Sequence, residues 1–293
     1  MPAPFVKRLC GYRTGGNPNT SDNSDALSKE LGHALFEAIG VPPNQVGPSD
    51  VGTEMEAGIR RHLHSLRPDL RIQDSPSAAE FEQYRHLTVF PRFRRDRSDT
   101  AAHLAPVAAA VAAMSPSNNR ENLQRLLEEA SQRLRAQDDL SLELLLQMPE
   151  EALLNIDVTV ADLRPGSPSR LHIALSSKWS LRTDRAQDCV SQGAKLVAQR
   201  RGRMPHFAVV TMEPRPSMLK ILGDGSGSVD CIYHLDLPAL EQAMETLVDL
   251  PRRRGRKWAP MQTFRRLIAQ RRLLDYDELL EELAGLPPGE AAR

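Results

Sequence analysis

Asp157 and Lys178 stand in two short segments, 155–161 (NIDVTVA) and 171–178 (LHIALSSK), that alternate as strands do. Successive strand residues face opposite sides. Ile156, Val158 and Val160 therefore share one face and leave Asp157 on the other with Thr159. In the second segment Leu171, Ile173, Leu175 and Ser177 share a face, and Ser176 and Lys178 lie opposite. Two neighbouring strands of this kind can present Asp157 and Lys178 to one spot. A carboxylate is a hard oxygen ligand suited to magnesium. A lysine beside it can position or help deprotonate an attacking water and offset charge on a phosphate. A lone aspartate and a lone lysine at strand ends are usually surface residues, so this pair by itself carries little.

Four residues beyond Lys178 comes a second group, Arg182, Asp184 and Arg185 (RTDR), at the start of a helical pattern over 183–200. Arginine can donate two hydrogen bonds to guanine O6 and N7, and aspartate can accept one from cytosine N4. At a helix start such a cluster could enter a major groove and read adjacent G·C pairs. In isolation it is also an ordinary charged helix start.

The elements that must hold these residues are legible from periodicity. Helical spacing covers 25–39 and 53–66, the latter (TEMEAGIRRHLHSL) with Met55, Ile59, Leu63 and Leu66 as its apolar stripe. Residues 11–24 (GYRTGGNPNTSDNS) read as a loop or arm. A loop with three prolines fills 41–50, and 84–93 has no clear period. From 100 to 149 the pattern is helical, alanine-rich and then charged, and reads as a helical insertion whose leucine stripe packs on the main domain. Residues 206–212 (HFAVVTM) suit a buried strand, 230–235 a fourth strand, and 237–250 and 261–283 helices. The order strand, strand, helix, strand implies an α/β domain with a mixed sheet.

Composition is that of an ordinary globular chain of 293 residues, 40% hydrophobic and 26% charged, with aromatics at only 4%. Basic and acidic residues balance at 38 each, so total charge names no partner. Its distribution is uneven: Arg252, Arg253, Arg254, Arg256, Lys257, Arg265, Arg266, Arg271 and Arg272 come with no intervening acid, and Arg92, Arg94, Arg95 and Arg97 form a smaller cluster. Such patches either attract phosphate or form a solvated face. Cys10, Cys189 and Cys231 are too few and too scattered for a disulfide framework or a zinc site and suit a reducing cytoplasm. No apolar run reaches membrane-spanning length, and the first nine residues lack a signal-peptide core. A soluble cytoplasmic protein is expected. No glycine-rich phosphate loop, His/Cys metal cluster or nucleophile elbow points to a small-molecule enzyme, and His206 and His234 beside apolar strands read as structural.

The run SSKWSLRTDRAQ (176–187), continued by LVAQRRGRMPHFAVVTMEPRPS (196–217) and SVDCIYHL (228–235), resembles the catalytic and recognition segment of the NgoMIV-like type II restriction endonucleases, the CCGG-recognising branch of the PD-(D/E)xK nucleases. Weaker likeness includes GTEMEAGI (52–59) and YRHLT (84–88). In all it spans about 24–84 and 155–244, leaving the insertion and the carboxyl-terminal tail uncovered. The resemblance implies an α/β restriction-endonuclease-like core, with a central mixed β-sheet flanked by helices plus a helical insertion. The expected organisation is an arm and helices of the catalytic domain over 1–90, the insertion over 91–150, the catalytic and recognition core over 151–250, and basic helices over 251–293.

Carried over by position, the resemblance makes Asp157 the principal magnesium carboxylate, with the Ser177 backbone carbonyl near the metal. Ser176 and Lys178 become the family's SxK variant of the ExK motif. Glu56 becomes the glutamate that completes the site, with Glu54 as a lesser substitute. The family's further carboxylate, on the helix after the lysine, falls at Gln192. An amide is the poorer metal ligand, so the second metal position is weakened, another acid such as Asp188 or Glu54 replaces it, or the enzyme is slow. Arg182, Asp184 and Arg185 are implied to read CCGG, one half per subunit of a homodimer or tetramer. The arginine and glutamine that read an outer G·C pair in the family fall at Met218 and Ser49, which points to another flanking pair, as in ACCGGT or RCCGGY, unless Arg215 or Lys220 reaches the same groove. A catalytically weak CCGG-binding protein, a structure-specific repair or recombination nuclease, and GCCGGC specificity are the alternatives. A restriction enzyme also implies a companion DNA methyltransferase in its host.

Overall fold

The computed structural model describes residues 2–96, 99–147, 154–164, 166–224, 227–251, 253 and 256–289. Arg97, Arg252, Arg254 and the end of the helical stretch at 148–149 lie outside the described residues. The chain divides into two compact units, residues 1–85 with 154–293, and residues 86–153.

The first unit is built on a six-stranded sheet in chain order: β1 (Arg71–Asp74), β2 (Val158–Ala161), β3 (Leu171–Lys178), β4 (His206–Thr211), β5 (Cys231–His234) and β6 (Leu273–Asp275). β1, β2 and β3 pair antiparallel, and β3 through β6 run parallel. The sheet is thus mixed, as expected. Its helices are α1 (Val6–Leu9), α2 (Ala26–Ile39), α3 (Val51–Leu66), then, beyond the second unit's α4 (Val89–Asp96), α5 (Ala105–Ala112) and α6 (Asn118–Gln147), α7 (Thr183–Gln199), α8 (Pro216–Gly223), α9 (Leu237–Val248), α10 (Ala259–Ala269) and α11 (Tyr276–Ala284). No helix among the described residues is long and apolar enough to cross a membrane. The second unit is helical, and several leucines of α6, Leu123, Leu126, Leu140 and Leu144 among them, are exposed.

Caps place the two amino-terminal helices. The Asp25 side chain accepts from the backbone N–H groups of Leu27 and Ser28 at the start of α2, and Asp50 accepts from Thr53 N–H at the start of α3. Met55, Ile59 and Leu63 then bury one stripe of α3 against β1, β2 and β3. Ser176 of β3 meets Cys189 of α7 while Ser177 meets Glu56 of α3. Adjacent strand residues face opposite sides, so α3 and α7 cover opposite faces of the sheet. The close fit of α7 depends on Gly193, where an added Cβ would sit 2.5 Å from Ser228 O and 2.7 Å from the Phe207 ring.

Two strands depart from the expected pattern. β1 carries a single apolar residue, Ile72, and is a half-exposed edge, too weak a signal to read as a strand. The helix expected over 261–283 is two helices: Arg271 at φ 54° ends the first, and Leu273 and Leu274 pair with β5 before α11 begins. This last helix (YDELLEELA) is acidic, so the expected basic helices over 251–293 are basic only in their first part. Three of those arginines are matched to acids: Arg253 to Glu30 at 2.7 Å, Arg266 to Asp224 at 2.9 Å, and Arg271 to Glu278. Arg253 also lies over the Trp258 ring, and Arg272 donates to the Val229 and Asp230 carbonyls. For these four residues internal pairing, not a free anion-binding patch, accounts for the charge.

His234 ends β5 fully buried and accepts through Nδ1 from Asp236 N–H at 3.2 Å. Burial holds its pKa down at about 4, against an ordinary 6.5. The unfolded chain takes up a proton that the folded chain refuses, so stability present above pH 6.5 is lost as the pH falls toward 4. This ring is expected to contribute about 3 kcal/mol to that loss. Denaturant unfolding of the wild type and His234→Gln at pH 7 and 4.5 measures it; an equally steep acid loss in the variant would contradict the assignment.

Candidate active site and DNA interface

The antiparallel register sets Val158 against Leu175. One step further along the same register, Asp157 falls opposite Ser176. It occupies a bend just ahead of β2, not the strand itself, and is backed by the β1 end: Ser75 N–H donates to the Asp157 carbonyl and Ile156 N–H to that of Pro76. Three donors converge on its Oδ2: Lys178 Nζ at 2.6 Å, Ser177 N–H at 2.8 Å and Ser176 Oγ at 3.2 Å. Strand alternation thus brings the expected aspartate and lysine into direct contact, both partly exposed.

Glu56 reaches the same place from α3, its Oε1 accepting from Ser177 Oγ at 3.1 Å. Ser177 consequently bridges both carboxylates, through its N–H and its hydroxyl, a role the sequence did not reveal. Burial pushes the Glu56 carboxyl up, the neighbouring Asp157 carboxylate pushes it further, and Ser177 and Lys178 pull it back. Asp157 held close enough to disfavour the charge on Glu56 makes, with it, a hard-oxygen donor set that a divalent cation would relieve. These residues therefore fit magnesium. Ser176 is buried and supports Asp157.

Gln192 turns its amide to the Asn155 carbonyl at 2.7 Å. Glu54 faces Arg8 at 3.5 Å and Arg61 at 3.9 Å. Among the described residues no group of three or more His, Cys, Asp or Glu forms a metal cluster. All three cysteines are buried and free.

Lys178 ends β3, and α7 begins five residues later. The bridging segment, Trp179 to Arg182, opens onto a cavity of about 810 Å³ lined by Glu56, Ser177, Lys178, Arg182, Arg185 and Ser49 among others. Arg182, the N-cap of α7, makes no side-chain cap, and Arg182, Asp184 and Arg185 are all exposed. Arg182 and Arg185 outnumber Asp184 at the positive end of this helix dipole, an arrangement suited to an anionic partner. The 11–24 arm forms another wall, with Arg13, Asn19, Ser21, Asp22, Asn23 and Ser24 on the cavity. Trp179 Nε1 donates to Asn19 Oδ1 at 3.0 Å and ties the arm beside Lys178.

The outer positions separate. Ser49 lines the cavity, whereas Met218, half-buried on α8, is not among its lining residues. Arg215 is buried, with Nε 2.7 Å from Glu213 Oε1. It also lines the cavity, and its guanidinium is held there by a carboxylate inside the fold.

The NgoMIV restriction enzyme family model matches residues 154–284. The type II restriction enzyme NgoMIV of Neisseria gonorrhoeae is 33% identical over 231 residues, covering 78% of this chain and 68% of that protein. With the end of β3 and α3 joining Asp157, Glu56 and Lys178 beside an exposed arginine cluster, the chain belongs to the NgoMIV family of type II restriction enzymes and is a site-specific deoxyribonuclease.

Proposed function

We propose that this restriction endonuclease makes magnesium-dependent double-strand cuts at a palindrome with a CCGG core. The observation that carries the reading is the Lys178–Asp157 contact at 2.6 Å, with Lys178 lining the cavity that Arg182 and Arg185 also line. Asp157, Glu56 and the Ser177 carbonyl are the residues to hold magnesium. When bound there, the ion supplies Lewis-acid stabilisation of phosphoryl charge and a more acidic water. Lys178 orients the attacking water toward the scissile phosphodiester and offsets the charge that builds on it. Ser176 and the Ser177 N–H fix the Asp157 carboxylate. The P–O3′ bond breaks, leaving a 5′-phosphate and a 3′-hydroxyl.

Arg182 and Arg185 donate to guanines, and Asp184 accepts from cytosine. A symmetric site calls for two-fold protein symmetry, so the working form is a homodimer or a tetramer built from dimers. The flanking pair is not a strict outer G·C, since Met218 lacks a bidentate donor and Arg215 is held by Glu213. ACCGGT and RCCGGY are the sites proposed. In the host the enzyme acts in the cytoplasm beside a DNA methyltransferase that protects the same sequence. Cleavage of a plasmid library carrying every NCCGGN palindrome tests this, with cutting confined to GCCGGC as the outcome that contradicts the flanking assignment.

A second reading, a weak nuclease that keeps CCGG binding, is favoured by Gln192, whose amide rests on Asn155 and brings no charge. Affinity for a hard cation rises with ligand charge. Gln192→Glu is therefore expected to lower the magnesium concentration for half-maximal cleavage by roughly tenfold. A titration that leaves the midpoint unchanged would show that position 192 lies outside the metal's reach.

A further inference from the structure

Leu181 immediately precedes the recognition cluster, and both of its backbone polar groups are gripped from beyond the end of β4. Its N–H donates to Glu213 Oε2 at 2.7 Å, and its carbonyl accepts from Arg215 Nη2 at 2.5 Å. Glu213 is fully buried and Arg215 nearly so. Besides Leu181, the carboxylate accepts from Arg215 Nε at 2.7 Å, Arg215 N–H at 3.0 Å and Arg215 Nη2 at 3.3 Å. Burial pushes this carboxyl up, while Arg215 and the Leu181 N–H pull it back; every hydrogen-bonding neighbour is a donor, an arrangement that suits the ionised form and leaves a protonated one with a hydrogen facing a hydrogen. The remaining arm of the guanidinium, Nη1, faces Asp25 Oδ2 at 3.3 Å and Asp22 Oδ2 at 3.5 Å. Two residues earlier, the Trp179 carbonyl accepts from Met212 N–H at 3.2 Å. The segment between Lys178 and Arg182 is thus clamped at Trp179 and at Leu181, in both cases by residues 212–215.

A buried ion pair is weak evidence for stability, because desolvation opposes the attraction, whereas breaking one is costly. What this pair does specify is geometry, since the fork of an arginine and a carboxylate fix direction as well as distance. We propose that Glu213 and Arg215 are positioning residues for sequence recognition: they set the start of α7, and with it Arg182, Asp184 and Arg185, at a fixed distance and angle from Lys178. Neither is assigned a base contact. The inference rests on the proposed recognition role of that cluster. Correct base pairs and the catalytic lysine are then coupled through one four-residue bridge, and loosening the clamp relaxes discrimination as well as slowing cleavage.

The test measures kcat/KM in magnesium on a CCGG duplex and on duplexes with one inner pair changed, for wild type, Glu213→Gln, Arg215→Lys and Arg182→Ala, with melting temperature recorded for each. Glu213→Gln turns an amide N–H toward a donor, and the cognate-to-changed ratio is expected to fall at least tenfold at a temperature where the variant is folded. Arg215→Lys keeps the charge but not the fork, and is expected to show the same loss. An unchanged ratio in both, whatever their melting temperatures, overturns the proposal and leaves the pair a stability element. If Arg182→Ala also keeps the wild-type ratio, it is the recognition reading that has failed. Should the core variants not fold, Asp22→Asn with Asp25→Asn carries the test: asparagine keeps both local caps and removes the charges facing Nη1. A fall of about threefold or more supports the clamp, and no fall overturns it.

Discussion

Replacing Asp157 with asparagine is expected to lower cleavage of a CCGG site by at least about 10³-fold while leaving DNA binding intact. Loss of a single preorganised electrostatic group from an active site costs on the order of 10²–10³ in rate. Here the group is also the proposed principal metal carboxylate, so the upper end applies. The Asp157 carboxylate further organises its neighbours, since Lys178 Nζ, Ser177 N–H and Ser176 Oγ all donate to Oδ2. Asparagine can keep an oxygen there but not the charge that opposes Lys178. Removing a negative charge beside a phosphate also strengthens the phosphate's attraction to the protein, so affinity for the uncut site should hold or rise. Single-turnover cleavage together with a binding titration separates the two effects. Equal losses of binding and cleavage would mean that the substitution had damaged the fold instead.

Arg182→Ala is expected to remove specific binding while leaving nonspecific binding nearly in place. A bidentate arginine–guanine contact is worth about 1–3 kcal/mol of discrimination. A two-fold complex presents the residue twice, so the specific complex should weaken by about 2–6 kcal/mol, roughly 30-fold at least. One lost cation per subunit changes the salt dependence only slightly. The contrast is diagnostic: a phosphate-contacting arginine would weaken cognate and noncognate duplexes alike. Competition binding with CCGG and inner-pair-substituted duplexes, at two salt concentrations, distinguishes these outcomes.

Much of this site follows from local periodicity. β3 spans residues 171–178 as its alternation requires, and the pairing of Asp157 with Lys178 follows from two adjacent strands alone. Other parts depend on contacts that no local pattern carries. Glu56 lies on a helix 121 positions from the Ser177 it binds, and only the family resemblance singled it out. The Glu213–Arg215 clamp sits in a turn, EPRP, with no period, and its partner Leu181 is more than thirty positions away. In sequence Arg215 stands only as an alternative reader of the outer pair, and its buried contact with Glu213 carries no local signal. The carboxyl-terminal arginines show the same effect at longer range, since Arg253 meets Glu30 across 223 positions. β1 and β6 escape for a different reason: each has too few residues, and too few apolar ones, to interrupt the pattern around it.

In the proposed function, the end of β3 and the start of α7 together read CCGG and cut beside it. The most direct test compares magnesium-dependent cleavage of two duplexes that differ only by exchange of the inner C·G pairs. Each mismatched pair typically costs about 1–3 kcal/mol, and the exchange alters both half-sites. Cutting of the CCGG duplex at least roughly 30-fold faster than its partner, and abolished by Lys178→Ala, is the predicted result. Equal cutting of the two, or cutting of neither, would contradict it.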